Sequence, residues 1–204
     1  MPPKPIQNLI DLFIKFPGIG PRQASRFVFY ILKQALVDEL VLNLAGLKKI
    51  IFCNQCFRTA EGVKGDICSF CKDSKRDHGL LAVVEKESDM QNLEKTGSYH
   101  GLYHVLNGVI SPLDSESPKR LHLKKLFLRI KSLLEKEAKC EVILATNSTT
   151  EGDTTALYIE RVLAPLKNQY PVLKISRLGR GLSLGSELEY ADEVTLKNAL
   201  SNRK

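Results

Sequence analysis

Apolar positions recur at helical spacing over the first fifty residues, and the rhythm then changes. Ile6, Leu9, Ile10 and Phe13 mark one face of a first helix, with Phe16 extending the stripe and Pro17 ending it. Gly18-Ile19-Gly20 makes a tight turn. Pro21 suits the first turn of a second helix, where a missing N–H costs nothing. Ala24, Phe27, Val28, Ile31 and Leu32 form the second stripe, and Leu36, Leu40, Leu44 and Leu47 predict a third helix whose task is packing. Beyond the middle of the chain, short apolar runs alternate with amphipathic stretches. Residues 80–84, 102–106, 141–145 and 173–176 read as strands. Helices are predicted over 88–94, over a segment that turns Leu123, Phe127, Ile130 and Leu134 inward, and from about 153 to 164, ahead of Pro165. This alternation predicts an α/β fold, a parallel sheet with helices on both faces. Functional groups in such sheets gather beyond the carboxyl ends of the strands. Glu85 ends the first of these strands and Thr146-Asn-Ser-Thr-Thr-Glu-Gly-Asp153 follows the third, so both should face one crevice.

Between the two patterns lies the stretch Cys53-Asn-Gln-Cys56 … Cys68-Ser-Phe-Cys71, two CxxC pairs separated by eleven residues that include Gly62, Gly65 and Asp66. Each CxxC knuckle can aim two sulfurs at one ion, so Cys53, Cys56, Cys68 and Cys71 are candidate ligands of one tetrahedral Zn²⁺ per chain. Disulfides or a redox pair are the alternatives. Disulfides call for an oxidising compartment, and Met-Pro-Pro-Lys-Pro begins no secretory signal. Four thiolates leave no open position, so the expected zinc is structural and supplies folding energy to a segment poor in apolar residues. Cys140 stands apart and is expected in the core.

Composition sharpens the picture at one place. A hydrophobic fraction of 43% and no apolar run near the roughly 20 residues of a membrane span predict a soluble, cytoplasmic protein with no membrane partner. The net charge of +7 favours a polyanionic partner. Up to residue 52 there are seven Lys/Arg against three Asp/Glu, a net of +4, whereas from Gly79 onward the count is 18 against 16. The basic end coincides with the two helices joined by Pro17-Gly-Ile-Gly20, the pattern of a helix-hairpin-helix. Gly18 and Gly20 let the backbone approach a phosphate closely, free N–H groups at the second helix start point outward, and Arg22, Arg26 and Lys33 share one face. Such a site grips phosphates and reads no bases, so DNA binding is expected to be sequence-independent. An ordinary αα-hairpin with a solvated basic face is the plainer reading.

Taken in order, Pro17-Gly-Ile-Gly20 with Arg22 and Arg26, the four-cysteine module, Val83-Val-Glu85, Gly101-Leu-Tyr-His-Val-Leu106 … Ser111-Pro-Leu-Asp114, Ala145-Thr-Asn147 … Glu151-Gly-Asp153 and Leu188-Glu-Tyr-Ala-Asp-Glu193 resemble the RecR family of bacterial recombination mediators over nearly the whole chain. The resemblance implies a helix-hairpin-helix region (1–52), a C4 zinc finger (53–78), a Toprim domain (79–177) and a C-terminal segment (178–204) that packs against a neighbouring subunit. It implies a dimer or a tetrameric ring around DNA, working with RecO and RecF to load RecA on gapped or single-stranded DNA. Arg22 and Arg26 fall on the family's DNA-contacting positions. Glu85, Asp89, Glu151 and Asp153 fall on acidic Toprim positions linked to partner binding.

One departure bears on chemistry. Catalytic Toprim domains hold Mg²⁺ with a glutamate and an Asp-x-Asp pair, and here the pair is replaced by Asn147 and Thr149. Two negative charges are gone from a site whose ion wants carboxylate oxygens, so no catalytic residue and no enzyme activity are expected. Thr150-Glu-Gly-Asp153 also reads as a helix-capping box. Gly179-Arg-Gly181 … Gly185 lacks the Gly-Lys-[Ser/Thr] of a phosphate loop, His100, His104 and His122 lack metal-ligand spacing, and His78, seven residues past Cys71, is redundant beside four thiolates. The competing functions are a Mg²⁺-dependent DNA-nicking enzyme and a zinc-bearing module that only bridges proteins.

Overall fold

The computed structural model describes residues 2–63, 65–137 and 139–203. The chain forms two compact units, Met1–Ile51 and Phe52–Lys204. No helix of the described residues is long and apolar enough to cross a membrane.

In the first unit, α1 (Lys4–Ile14) packs on α2 (Pro21–Lys33), and α3 (Val37–Gly46) follows. The core is small. Ile10, Ala24 and Val28 are buried, with Ile6, Leu9, Phe13 and Ile19 packed against them. Pro21 begins α2 as expected. α1 stops at Ile14, because the residue ahead of Pro17 is driven out of helical geometry. Phe16 therefore lies beyond the helix and is 52% exposed. The buried face of α2 is Ala24, Val28 and Ile31, whereas Phe27 and Leu32 point outward. The expected packing role of α3 is not met: it buries no residue, and Leu40, Leu44 and Leu47 are exposed. A leucine stripe looks the same in sequence whether it meets a core or waits for a partner.

The chain passes from one unit to the next inside β1 (Ile50–Phe52). β2 (Thr59–Glu61) and α4 (Ser69–Lys72) belong to the cysteine module. The sheet and its helices then run β3 (Asp77–Val84), α5 (Glu87–Lys95), β4 (Gly101–Val105), α6 (Ser117–Arg120), α7 (Leu123–Leu134), β5 (Cys140–Ala145), α8 (Thr150–Gln169), β6 (Leu173–Arg177) and α9 (Glu193–Ser201). The four strands are all parallel, in the order β4-β3-β5-β6, with Leu81 beside Leu102, Ala82 beside Ile143 and Leu144 beside Arg177.

Strand alternation sends side chains to opposite faces. Leu81, Val83, Leu102, Val142 and Leu144 pack on one side with residues of α7 and α8. Ala82, Val84, Tyr103, Val105 and Ala145 pack on the other with Met90 of α5 and Phe70 of α4. The sheet is thus covered on both faces, as the sequence pattern predicts. Cys140 sits in this core, where burial pushes its thiol up to about 11.

Two helices differ from expectation. The buried stripe of α7 is Leu123, Leu126, Ile130 and Leu134, with Phe127 only partly covered. α8 begins at Thr150 and runs through Pro165 to Gln169. An interior proline costs about 3 kcal/mol. Leu163 and Leu166 flank Pro165 and are buried, each contributing about 1.5–3 kcal/mol. Of the two, only Leu166 lies past the proline, so its burial offsets much of the break.

Candidate nucleic-acid interface, metal centre and carboxylate crevice

The hairpin edge is built by backbone permissiveness. Gly18 takes φ +79°, a left-handed conformation that favours glycine, and a Cβ there would meet nothing within 4 Å. The turn closes on Ile19, whose N–H donates to Phe16 O at 3.2 Å and whose side chain anchors on the α1–α2 core. Gly20 caps α2 without a side chain, and the first turn of α2 holds no acidic residue. The amide end of the helix is left without a competing carboxylate of its own. Arg22, Arg26 and Lys33 are exposed on one face of α2, and no carboxylate among the described residues pairs with them. Arg22, Gln23, Arg26, Phe27 and Tyr30 line one surface groove. Periodicity places Phe27 in the apolar stripe and gives Tyr30 no role, yet basic side chains interleaved with exposed rings suit a nucleic-acid strand.

The metal centre is local in sequence and closed in space. Cys53, Cys56, Cys68 and Cys71 are buried, and their sulfurs lie within 4.8 Å of one another. Cys53 to Cys71 is 4.0 Å and Cys56 to Cys68 is 3.5 Å, bracketing the sulfur separation of about 3.8 Å that a tetrahedron with bonds of about 2.3 Å requires. Backbone N–H groups of Gln55 and Cys68 donate to the Cys53 sulfur at 3.5 and 3.3 Å. The crowding splits the thiols. Cys53, accepting from Cys56 above all, is held far below the ordinary thiol range, and Cys56, the donor to Cys53, is pushed far above it. Only a cation lets all four ionise together. The donor set can therefore hold one metal ion with no open coordination position. His78 bonds instead to Asp73 O at 3.2 Å.

This module is sewn onto the sheet. Val105 N–H donates to Cys56 O at 2.8 Å, and Asn107 Nδ2 donates to Phe57 O at 3.2 Å. The Phe57 ring stacks on His122 at 3.8 Å and meets the edge of His104. His104 is fully buried, and burial lowers it to about 3, so it stays a neutral core residue. Glu87, which drew no attention in sequence, accepts from Thr59 N and Oγ1 at 2.7 to 2.8 Å and lies 3.7 Å from Arg58. Arg58 and Arg76 sandwich the Phe70 ring at 4.3 and 4.2 Å.

At the carboxyl ends of the strands, Glu85 and the loop after β5 meet in one place. Glu85 is 2% exposed, and its two oxygens accept from Asn147 N at 2.8 Å and Asn147 Nδ2 at 2.5 Å. The amide that stands in the place of an aspartate thus engages both oxygens of the glutamate. Thr149 caps α8 through Gly152 N at 3.1 Å, one residue ahead of the box expected at Thr150. Asp153 is clasped by Arg180 and, at 3.3 Å, by Arg177, which hold its carboxyl below the usual range, Arg180 foremost. Asp89 Oδ2 accepts from Lys86 N at 3.0 Å and closes the first turn of α5. Glu151 is the exposed member of the four acidic positions. The crevice therefore presents few uncommitted carboxylate oxygens to a divalent ion.

Gly152 makes the arrangement possible, since a Cβ there would lie 2.1 Å from Asn147 O and 2.8 Å from Glu85 Oε1. Gly152→Ala is expected to cost about 3 kcal/mol by overpacking. For a domain of this size that lowers the melting temperature by roughly 6–12 °C. Gly181→Ala, whose Cβ would meet nothing nearer than 3.8 Å, serves as the control in the same thermal scan. Equal melting points for the two variants would refute the crowding at Gly152.

A family model described as the Toprim domain matches residues 79–178, and one described as the C-terminal region of RecR matches residues 181–204. The recombination protein RecR of Herpetosiphon aurantiacus is 44% identical over 99% of this chain and 95% of that protein. Those of Streptococcus suis and Lactococcus lactis subsp. cremoris (strain MG1363) are each 43% identical over 98% of this chain and 97% of theirs.

Proposed function

This chain belongs to the RecR family of recombination proteins, and on that premise we propose that it is a non-enzymatic, DNA-binding mediator of recombinational repair. The hairpin edge holds the sugar-phosphate backbone through Arg22, Arg26, Lys33 and the amides around Gly18 and Gly20. The observation that carries this reading is the exposed basic face of α2, unpaired among the described residues and beginning at a helix terminus with no side-chain cap. The ion in the four-thiol centre is zinc, one per chain, because an all-cysteine tetrahedron suits that metal and its function is to hold the module folded.

The crevice carries no phosphoryl-transfer chemistry in this reading. Glu85 is committed to Asn147 and Asp153 to two arginines, so Glu151 is left as the uncommitted carboxylate of the crevice, too few oxygens to gather Mg²⁺ for that chemistry. Glu151 and Asp153 form the docking edge for a protein partner, with Glu85 and Asp89 shaping the loops beneath it. Large apolar side chains support self-association: Phe29, Val41 and Leu42 in the first unit, and Leu184, Tyr190 and Val194 near the carboxyl end, are exposed. A dimer or tetrameric ring would turn weak single grips into a lasting hold on DNA. The resemblance makes RecO and RecF its partners and RecA loading on gapped DNA its task, in the cytoplasm.

Two labelled oligonucleotides of equal length and unrelated sequence test the reading. The account expects equal affinities that fall steeply with salt. It expects supercoiled plasmid incubated with the protein and Mg²⁺ to stay supercoiled. Strong sequence preference, or nicked or relaxed product, would refute it.

A further inference from the structure

Arg129 lies on α7, 58 residues beyond the last cysteine of the metal centre, and belongs to no motif around it. Its guanidinium nevertheless reaches three acceptors at once. Nη2 donates to the Cys71 sulfur at 3.6 Å, while Nη1 donates to Gln55 O at 3.2 Å and to Tyr103 O at 2.5 Å. One acceptor is a ligand atom, one lies inside the first CxxC knuckle, and one is a backbone oxygen of β4, the edge strand of the sheet. A planar fork with several fixed donors is the side chain that can satisfy such a set. The single point charge of a lysine cannot.

Four thiolates around a divalent ion leave two net negative charges in a buried site. A cation against one sulfur offsets part of that charge, and a hydrogen bond to the sulfur fixes its direction. We propose that Arg129 is a positioning residue of the metal centre: it orients Cys71, partly neutralises the ligand set, and couples metal affinity to the packing of α7 on β4. The proposal rests on the metal reading of the four thiols, and wild-type zinc binding reports on that reading separately.

The test uses the full chain and zinc competed against a chromophoric chelator. Arg129→Gln removes the charge, Arg129→Lys keeps the charge without the fork, and Glu87→Gln loosens a different side-chain tether, from Thr59 of the module to α5, while touching no sulfur. Zinc affinity is expected to fall about 100-fold in Arg129→Gln and about tenfold in Arg129→Lys. In Glu87→Gln it stays within about threefold. With Co²⁺ in place of zinc, the sulfur-to-metal charge-transfer band should shift in both Arg129 variants and hold still in Glu87→Gln. Should Arg129→Gln fail to fold, Arg129→Lys and the Co²⁺ spectrum decide. Wild-type affinity in either Arg129 variant, or equal losses in Glu87→Gln and Arg129→Gln, would overturn the proposal.

Discussion

Cys56→Ser, or chelation of the metal from the wild-type chain, should lower the melting temperature of the second unit by about 8–16 °C. Structural zinc contributes about 10–16 kcal/mol of apparent binding energy in small peptides. A third of that, about 4 kcal/mol, produces a shift of this size in a domain of 150 or more residues. The loss should not stay within the module. Cys56 O is the acceptor for Val105 N–H, and Arg129 joins Cys71 to Tyr103 O, so the knuckle covers the free edge of β4. An uncovered edge strand is a template for pairing with other chains. Light scattering should therefore rise with chelation even below the new melting point. A melting curve and a scattering signal unchanged by metal removal would contradict this coupling.

Much of this was legible before any coordinates. The strands are continuous apolar runs because a parallel sheet buries both faces, and that pattern needs no distant information. The metal centre is two short motifs whose spacing is itself the geometric requirement. What escaped the sequence depends on partners far along the chain. α8 crosses Pro165 because Leu163 and Leu166 find a sheet to pack on, which propensity cannot foresee. The stripe of α3 is real, but its leucines are exposed, and periodicity carries no label for what covers it. The loss of the Asp-x-Asp pair was visible as missing charge. That Asn147 donates to Glu85 from both its backbone and side-chain nitrogens was not. Arg129 and Glu87 sit among ordinary helix surface residues, and no local signal marks either one.

The hairpin edge carries the functional account, and its charge reversal has the other large expected effect. Arg22 and Arg26 lie one turn apart on α2, exposed and without a carboxylate partner among the described residues. Each phosphate contact on single-stranded DNA contributes a slope of about 0.7 to the fall of log affinity with log salt. Losing two contacts should make the slope shallower by about 1.4, which at 0.1 M salt corresponds to about 25-fold weaker binding. Neither arginine contributes to a core, since the buried residues of α2 are Ala24, Val28 and Ile31, so the melting temperature should not move. Substitutions in the crevice, such as Glu151→Gln, should leave the slope alone.

The most direct test is therefore the salt dependence of oligonucleotide binding by the wild-type chain and by Arg22→Glu/Arg26→Glu, followed by fluorescence anisotropy from 0.05 to 0.3 M salt. The account predicts a clearly shallower line and weaker binding for the double variant, at unchanged metal content. Two superimposable lines would show that DNA, if bound at all, is held somewhere else.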